Sequence, residues 1–211
     1  MMKKNCTEVV FVLDRSESMC GLEKDTIGGF NSLINKQKKQ DGEVLVSTVL
    51  FNDSSVVIHD RKPIDEVRLM TNKDYEVYGC TALLDALGSS IRHIGNIHKY
   101  ARIEDVPEHT MFVIITDGME NASRYYSKER VKSMIEYEKE KYGWEFLFLA
   151  ANMDAIDTAS RYGIDKDHAV NYQCDSVGTR LNYEVLDEAI QCICSDVPLS
   201  KSWKSKIEKR K

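Results

Sequence analysis

Val9-Val10-Phe11-Val12-Leu13, followed at once by Asp14-Arg15-Ser16-Glu17-Ser18, is the stretch from which the rest of this chain is read. The apolar run suits a buried strand. An Asp and two Ser then occupy alternate positions in the turn where that strand ends. A turn curls every second side chain inward, so one carboxylate and two hydroxyls can point at one hard cation. Mg²⁺ and Mn²⁺ take small oxygen ligands and usually keep some water. Three oxygen groups from one turn are too few to hold such an ion, so the rest of a site is expected further along.

Two later segments supply it. Gly79-Cys80-Thr81-Ala82-Leu83 puts a Thr hydroxyl in a loop just before a helix, where loops often carry function. Phe112-Val113-Ile114-Ile115-Thr116-Asp117-Gly118 is a second apolar strand that ends in an Asp and a Gly turn. In an open parallel sheet, ligands bind at the carboxyl ends of the strands. Asp14 and Asp117 both fall at such ends.

With these residues in order, the chain resembles the von Willebrand factor A (VWA) domain family over roughly residues 7 to 195, and is similar to its stand-alone bacterial members. The metal-ion-dependent adhesion site of that family has the pattern D-x-S-x-S, then a Thr, then an Asp, matched here by Asp14, Ser16, Ser18, Thr81 and Asp117. The resemblance implies that Ser16, Ser18 and Thr81 touch a Mg²⁺ or Mn²⁺ ion directly. Asp14 and Asp117 would act directly or through water. It also implies an open coordination position that a carboxylate of a partner protein fills. The physics agrees with this. Neutral hydroxyls leave the ion more of its positive charge than three or four carboxylates would, so it still attracts an outside anion.

Glu17 departs from the family pattern, where small residues are frequent. It either faces solvent or adds negative charge near the ion, which tightens metal binding and repels an acidic partner. The loops that converge on the site give a partner-binding rim of Glu17, Met19, Tyr78, Met119, Glu120 and Asn121. Two Glu in that rim predict a partner with basic residues around its one acid.

The alternative is a Mg²⁺-dependent phosphohydrolase of the haloacid dehalogenase kind, which also places an Asp at the end of the first strand of a Rossmann-like fold. That chemistry wants a nucleophilic Asp and a second acid two residues later. Ser16 stands at that second position, and Asp117 is followed by Gly118 and Met119 rather than by an acidic pair. Turn and helix-cap roles account for Asp14, Ser16 or Ser18 singly, but not for Thr81 and Asp117 arriving where they do. The expectation is therefore a protein-binding module and not an enzyme.

Composition sets the outer bounds. A chain of 211 residues, 42% hydrophobic and 30% charged, suits one globular domain with a real core. A net charge of −5 argues against broad nucleic-acid binding. No apolar run is long enough for a membrane span, and Met1-Met2-Lys3-Lys4-Asn5-Cys6 begins like a signal peptide but leads into too short an apolar run. The expected location is the cytoplasm. The six Cys are expected as reduced thiols. Cys20 and Cys80, which flank the ion site, are expected to serve in packing.

Periodicity gives alternating strands and helices. Strands are predicted at 8–13, 44–51, 56–59, 110–116, 145–150 and 169–172, and helices at 22–39, 82–100, 127–142, 154–162 and 178–194. Only Asn52-Asp53-Ser54-Ser55 separates the second and third strands, so those two form an antiparallel hairpin. The predicted fold is α/β: a Rossmann-like doubly wound sheet, mostly parallel with one antiparallel edge strand, and helices on both faces. Gly28 and Gly29 inside the first helix each cost roughly 1 kcal/mol against Ala, which close packing against the sheet would explain. Asp85, one turn beyond Thr81, either faces the ion loop or caps its helix. Residues 1–198 are read as the VWA-like domain. Residues 199–211 are read as a basic C-terminal tail, solvated and frayed at 201–211, with Trp203 favouring some packing.

Overall fold

The computed structural model describes residues 1–210. Six strands form one sheet: β1 (Lys3–Asp14), β2 (Glu43–Phe51), β3 (Ser55–Pro63), β4 (Pro107–Thr116), β5 (Glu145–Ala150) and β6 (Ala169–Asn171), in the order β3-β2-β1-β4-β5-β6. All neighbours run parallel except β2 and β3, which form the antiparallel edge hairpin. The helices are α1 (Glu23–Gln37), α2 (Leu83–Tyr100), α3 (Lys128–Tyr142), α4 (Ala155–Arg161), α5 (Ser176–Cys194) and the single turn α6 (Ser205–Glu208). The predicted strands and the five predicted helices are all present, most with ends within two residues of the prediction.

Side chains of a strand alternate between the two faces of a sheet, and the apolar runs of the central strands therefore feed two cores. Val9, Phe11, Leu13, Met111, Val113 and Ile115 pack on one face with residues of α1 and α5. Val10, Val12, Phe112 and Ile114 pack on the other with α2 and α3. Helices on both faces explain why these runs are continuously apolar rather than alternating. At Gly29, α1 packs against the ring of Tyr183 on α5. A Cβ there would lie 2.2 Å from Tyr183 Cδ2, so only glycine fits, whereas a Cβ at Gly28 would meet nothing within 4 Å. Close packing accounts for Gly29, against α5 rather than against the sheet as expected, and not for Gly28.

The chain leaves β1 towards β2 on one side and returns as β4 on the other. The carboxyl ends of β1 and β4 thus lie side by side at a topological switch point, the usual ligand crevice of such sheets. Leu13 pairs with Ile115, and this register puts Asp14 beside Thr116.

The segment after α5 is not a frayed tail. Lys201–Lys204 forms a 3-10 turn leading into α6. Trp203 and Ile207 are buried in the core shared with α1 and α5. Trp203 Nε1 donates to the Asp167 carbonyl at 2.8 Å, and Lys204 Nζ donates to the carbonyls of Lys166 and Ala169. Arg210 makes a two-pronged pair with Asp175, both bonds 2.7 Å. The composition of 201–211 is that of a solvated tail, but two apolar residues in it find the sheet and draw the cations into defined partners. Lys211 lies outside the described residues.

Candidate metal centre

All five residues expected at the ion site come together at the carboxyl ends of β1 and β4. Asp14, at the end of β1, is 1% exposed. Its Oδ1 accepts the Ser16 N–H at 2.7 Å and its Oδ2 accepts the Thr116 hydroxyl at 2.5 Å. From there the hydroxyls run in a chain. Thr81 Oγ1 lies 3.0 Å from Ser16 Oγ, Ser16 Oγ lies 3.1 Å from Ser18 Oγ, and Ser18 donates to Asp117 Oδ1 at 2.5 Å. Ser18 is exposed, while Asp14, Ser16, Thr81 and Asp117 are buried, so the cluster opens to solvent at one side.

Gly118 floors this cluster. A Cβ added there would lie 2.6 Å from Thr81 Oγ1, 2.9 Å from Ser18 Oγ and 3.4 Å from Ser16 Oγ. The three hydroxyls therefore face one small space, kept open by the absence of a side chain. Two carboxylates and three hydroxyls make an all-oxygen donor set, which suits a hard divalent cation. Among the described residues no group of three His, Cys, Asp or Glu could hold a metal.

Electrostatics also favour a cation. Burial pushes the Asp14 carboxyl up to about 6 against the pull of its hydrogen bonds from Ser16 and Thr116, and the neighbouring Asp117 acts in the same upward direction. A positive charge between the two acids would relieve both causes.

The loops that carry these residues are fixed by side chains the sequence reading did not single out. Asn52, at the end of β2, donates to the Tyr78 carbonyl, and its own carbonyl accepts the Ala82 N–H at 2.8 Å, which places Thr81 between them. Tyr75 donates its hydroxyl to the Asp14 carbonyl. Asp85 accepts the N–H groups of Arg124, Tyr125 and Tyr126. It thus holds the loop before α3, and neither faces the ion loop nor merely caps α2. Cys174 is a further resident of the site, its thiol 3.2 Å from Asp117 Oδ2. Burial first, and then this hydrogen bond, push that thiol up to about 11. Cys174 follows β6, so the strand-end rule that found Asp14 and Asp117 would have found it too. Cys20 and Cys80 are exposed rather than packed.

The rim differs from expectation at two positions. Met19 is 1% exposed and belongs to the core, because the 3-10 turn at Glu17–Met19 rotates it inward. Glu120 is occupied: its carboxylate accepts from the N–H groups of Leu84, Ala122 and Ser123 and from the Ser123 hydroxyl. It satisfies the start of α2 and its own loop, where an acid is favoured by the exposed N–H groups. Asn121 is exposed and clips Thr81, its Oδ1 accepting the Thr81 N–H at 2.9 Å. Glu17, Tyr78 and Met119 are exposed as expected.

Neither a known family model nor a curated protein matches the chain. Solved structures do. The von Willebrand factor domain of the type V pilus tip protein Mfa5 from Porphyromonas gingivalis aligns with a TM-score of 0.63 at 9% identity, over 90% of this chain and 96% of that one. A von Willebrand factor type A protein from Catenulispora acidiphila aligns with a TM-score of 0.56 at 11% identity, over 88% of this chain and 42% of that one. The chain has the von Willebrand factor A fold. Proximal thread matrix protein 1 from the mussel byssus, with a zinc-occupied MIDAS motif, shares it with a TM-score of 0.60 at 16% identity, over 92% of this chain and 46% of that one. The chain thus spans less than half the length of the mussel and Catenulispora proteins. At these identities the likeness concerns the VWA fold alone. Among the described residues no helix is long and apolar enough to cross a membrane.

Proposed function

We propose that this chain is a divalent-metal-dependent protein-binding module. Asp14, Ser16, Ser18, Thr81 and Asp117 hold Mg²⁺ or Mn²⁺, and a carboxylate of a partner protein takes an open coordination position. The observation that carries this reading is the space above Gly118, faced by the hydroxyls of Thr81, Ser18 and Ser16. The zinc-occupied MIDAS motif of the mussel protein lends support to a divalent ion in this fold. When bound, the ion supplies a Lewis-acidic point for an anion. The chain's own part is to orient it: Asn52, Asn121 and Thr116 hold the loops and the Asp14 carboxylate in place, and Ser18 stands on the solvent side.

The enzymatic alternative fits less well. A nucleophilic Asp needs a free oxygen facing substrate, and both oxygens of Asp14 accept hydrogen bonds in a buried setting. All six cysteines are unpaired, which supports a reducing compartment such as the cytoplasm.

The test is thermal unfolding with Mg²⁺ or Mn²⁺ and with EDTA. Binding to the native state raises the melting temperature by mass action. The rise is expected in the wild type and absent in Asp14→Ala/Ser16→Ala. Equal rises in the two proteins refute the site. Capture of partner proteins should vanish in EDTA and in Asp117→Ala.

A further inference from the structure

Beside the cradle lies a groove of about 730 Å³ whose lining includes Asp53, Ala82, Arg92, Arg124, Tyr125 and Arg130. It begins one residue beyond Thr81, at Ala82. We propose that this groove receives an extended acidic segment of the partner protein, one carboxylate at the ion and the next ones on Arg92 and Arg124. The proposal rests on the metal-bridged reading above and names the chemistry of the partner.

The charges in the groove favour such a segment. Among the described residues the side chains of Arg92 and Arg124 have no hydrogen-bond or ion-pair partner. Arg130 lies over the Tyr126 ring, its Cζ 4.8 Å from the centroid. The two carboxylates of the groove face the backbone. Asp85 accepts three N–H groups, and Asp53 accepts the Cys80 N–H at 3.2 Å. Three guanidinium groups therefore stand against two acids already engaged. A guanidinium fork matches a carboxylate in a two-pronged geometry. Tyr125, 79% exposed, adds a flat aromatic wall.

An extended peptide places side chains of one face about 7 Å apart. An acid at the ion and acids two and four residues further on would thus run from the cradle along the arginines. This departs from the expectation of a partner with basic residues around its acid, which counted Glu120 as a free rim charge; its carboxylate is turned into its own loop, and Glu17 alone stays exposed on the rim.

The experiment is selection of phage-displayed random octapeptides on the full chain in Mg²⁺, repeated in EDTA and on Arg92→Glu/Arg124→Glu. Recovered peptides should carry acids at alternate positions. Resynthesised with a fluorescent label, they should bind the double variant at least tenfold more weakly, while its Mg²⁺-induced melting rise stays at the wild-type value. Basic or apolar peptides, no enrichment, or acidic peptides that ignore the arginine changes overturn the groove assignment. In the last case the ion bridge stands if binding still needs Mg²⁺. Equal binding in EDTA overturns the ion bridge instead. Inorganic pyrophosphate that binds the wild type but not the double variant, with no acidic peptide recovered, assigns the groove to a phosphate ligand and refutes the proposal.

Discussion

Thr116 hands its hydroxyl hydrogen to Asp14 across the boundary between two neighbouring strands, at 2.5 Å, with both residues fully or nearly fully buried. Thr116→Val keeps the shape and leaves Asp14 Oδ2 without that donor. A buried acceptor left unsatisfied costs roughly 1–3 kcal/mol. Chemical denaturation should show a loss of that size, and Mg²⁺ titration should show weaker binding. An unchanged Mg²⁺ affinity would separate the Thr116 bond from the ion site.

Gly118→Ala tests the cradle without removing any proposed ligand. Gly118 lies outside the left-handed region, so alanine meets no backbone strain there. The added methyl occupies the space the three hydroxyls face. The Mg²⁺-induced rise in melting temperature should fall to near zero, while overpacking of about 1–3 kcal/mol lowers the metal-free melting temperature by roughly 2 to 12 °C. A full rise in the alanine variant would move the ion elsewhere.

The pH dependence has a definite sign. Without metal the Asp14 carboxyl titrates near 6, raised by burial from its ordinary value of 3.8. Its contribution to folding is fully present below about 3.8 and is lost as pH rises through about 6. The loss amounts to roughly 3 kcal/mol at about 1.4 kcal/mol per pH decade. A cation restores what ionisation removes, and protons compete with it below 6. The Mg²⁺-induced melting rise should therefore be large at pH 7.5 and small at pH 5. Equal rises at the two pH values would count against Asp14 as part of the site.

Trp203 should behave as a core residue. Trp203→Ala removes a buried indole and its bond to Asp167, with an expected cost of about 3–5 kcal/mol. At about 2–4 °C per kcal/mol for a domain of this size, melting should drop by roughly 6 to 20 °C. A solvated tail would give no measurable drop, and differential scanning calorimetry distinguishes the two.

Much of this architecture can be read from the chain. The unbroken apolar runs at 9–13 and 111–115 announce strands covered on both sides, and the acids that end them mark the crevice. The candidate ligand set is legible because Asp14, Ser16 and Ser18 sit close together and the strand-end rule points to Asp117. What escapes is set by rotation and by hydrogen bonding between distant segments. Met19 and Ser18 are neighbours, and only the 3-10 turn decides that one faces the core and the other the solvent. Glu120 reads as a surface charge until α2 is seen to present the Leu84 N–H to it. Trp203 and Ile207 are diluted by lysines in a stretch whose composition suggests solvent.

The twelve residues of β1 run from Lys3 to Asp14. At about 3.3 Å per residue, the cradle lies roughly 36 Å from the amino end of the sheet. The carboxyl end is different: Arg210 grips Asp175, the neighbour of Cys174, whose thiol reaches Asp117. The two ends of the chain are thus unequal as handles. A bead or vesicle coupled at the amino end presents the cradle outward to whatever diffuses past. The same coupling at the carboxyl end crowds it and pulls on the residues behind Asp117.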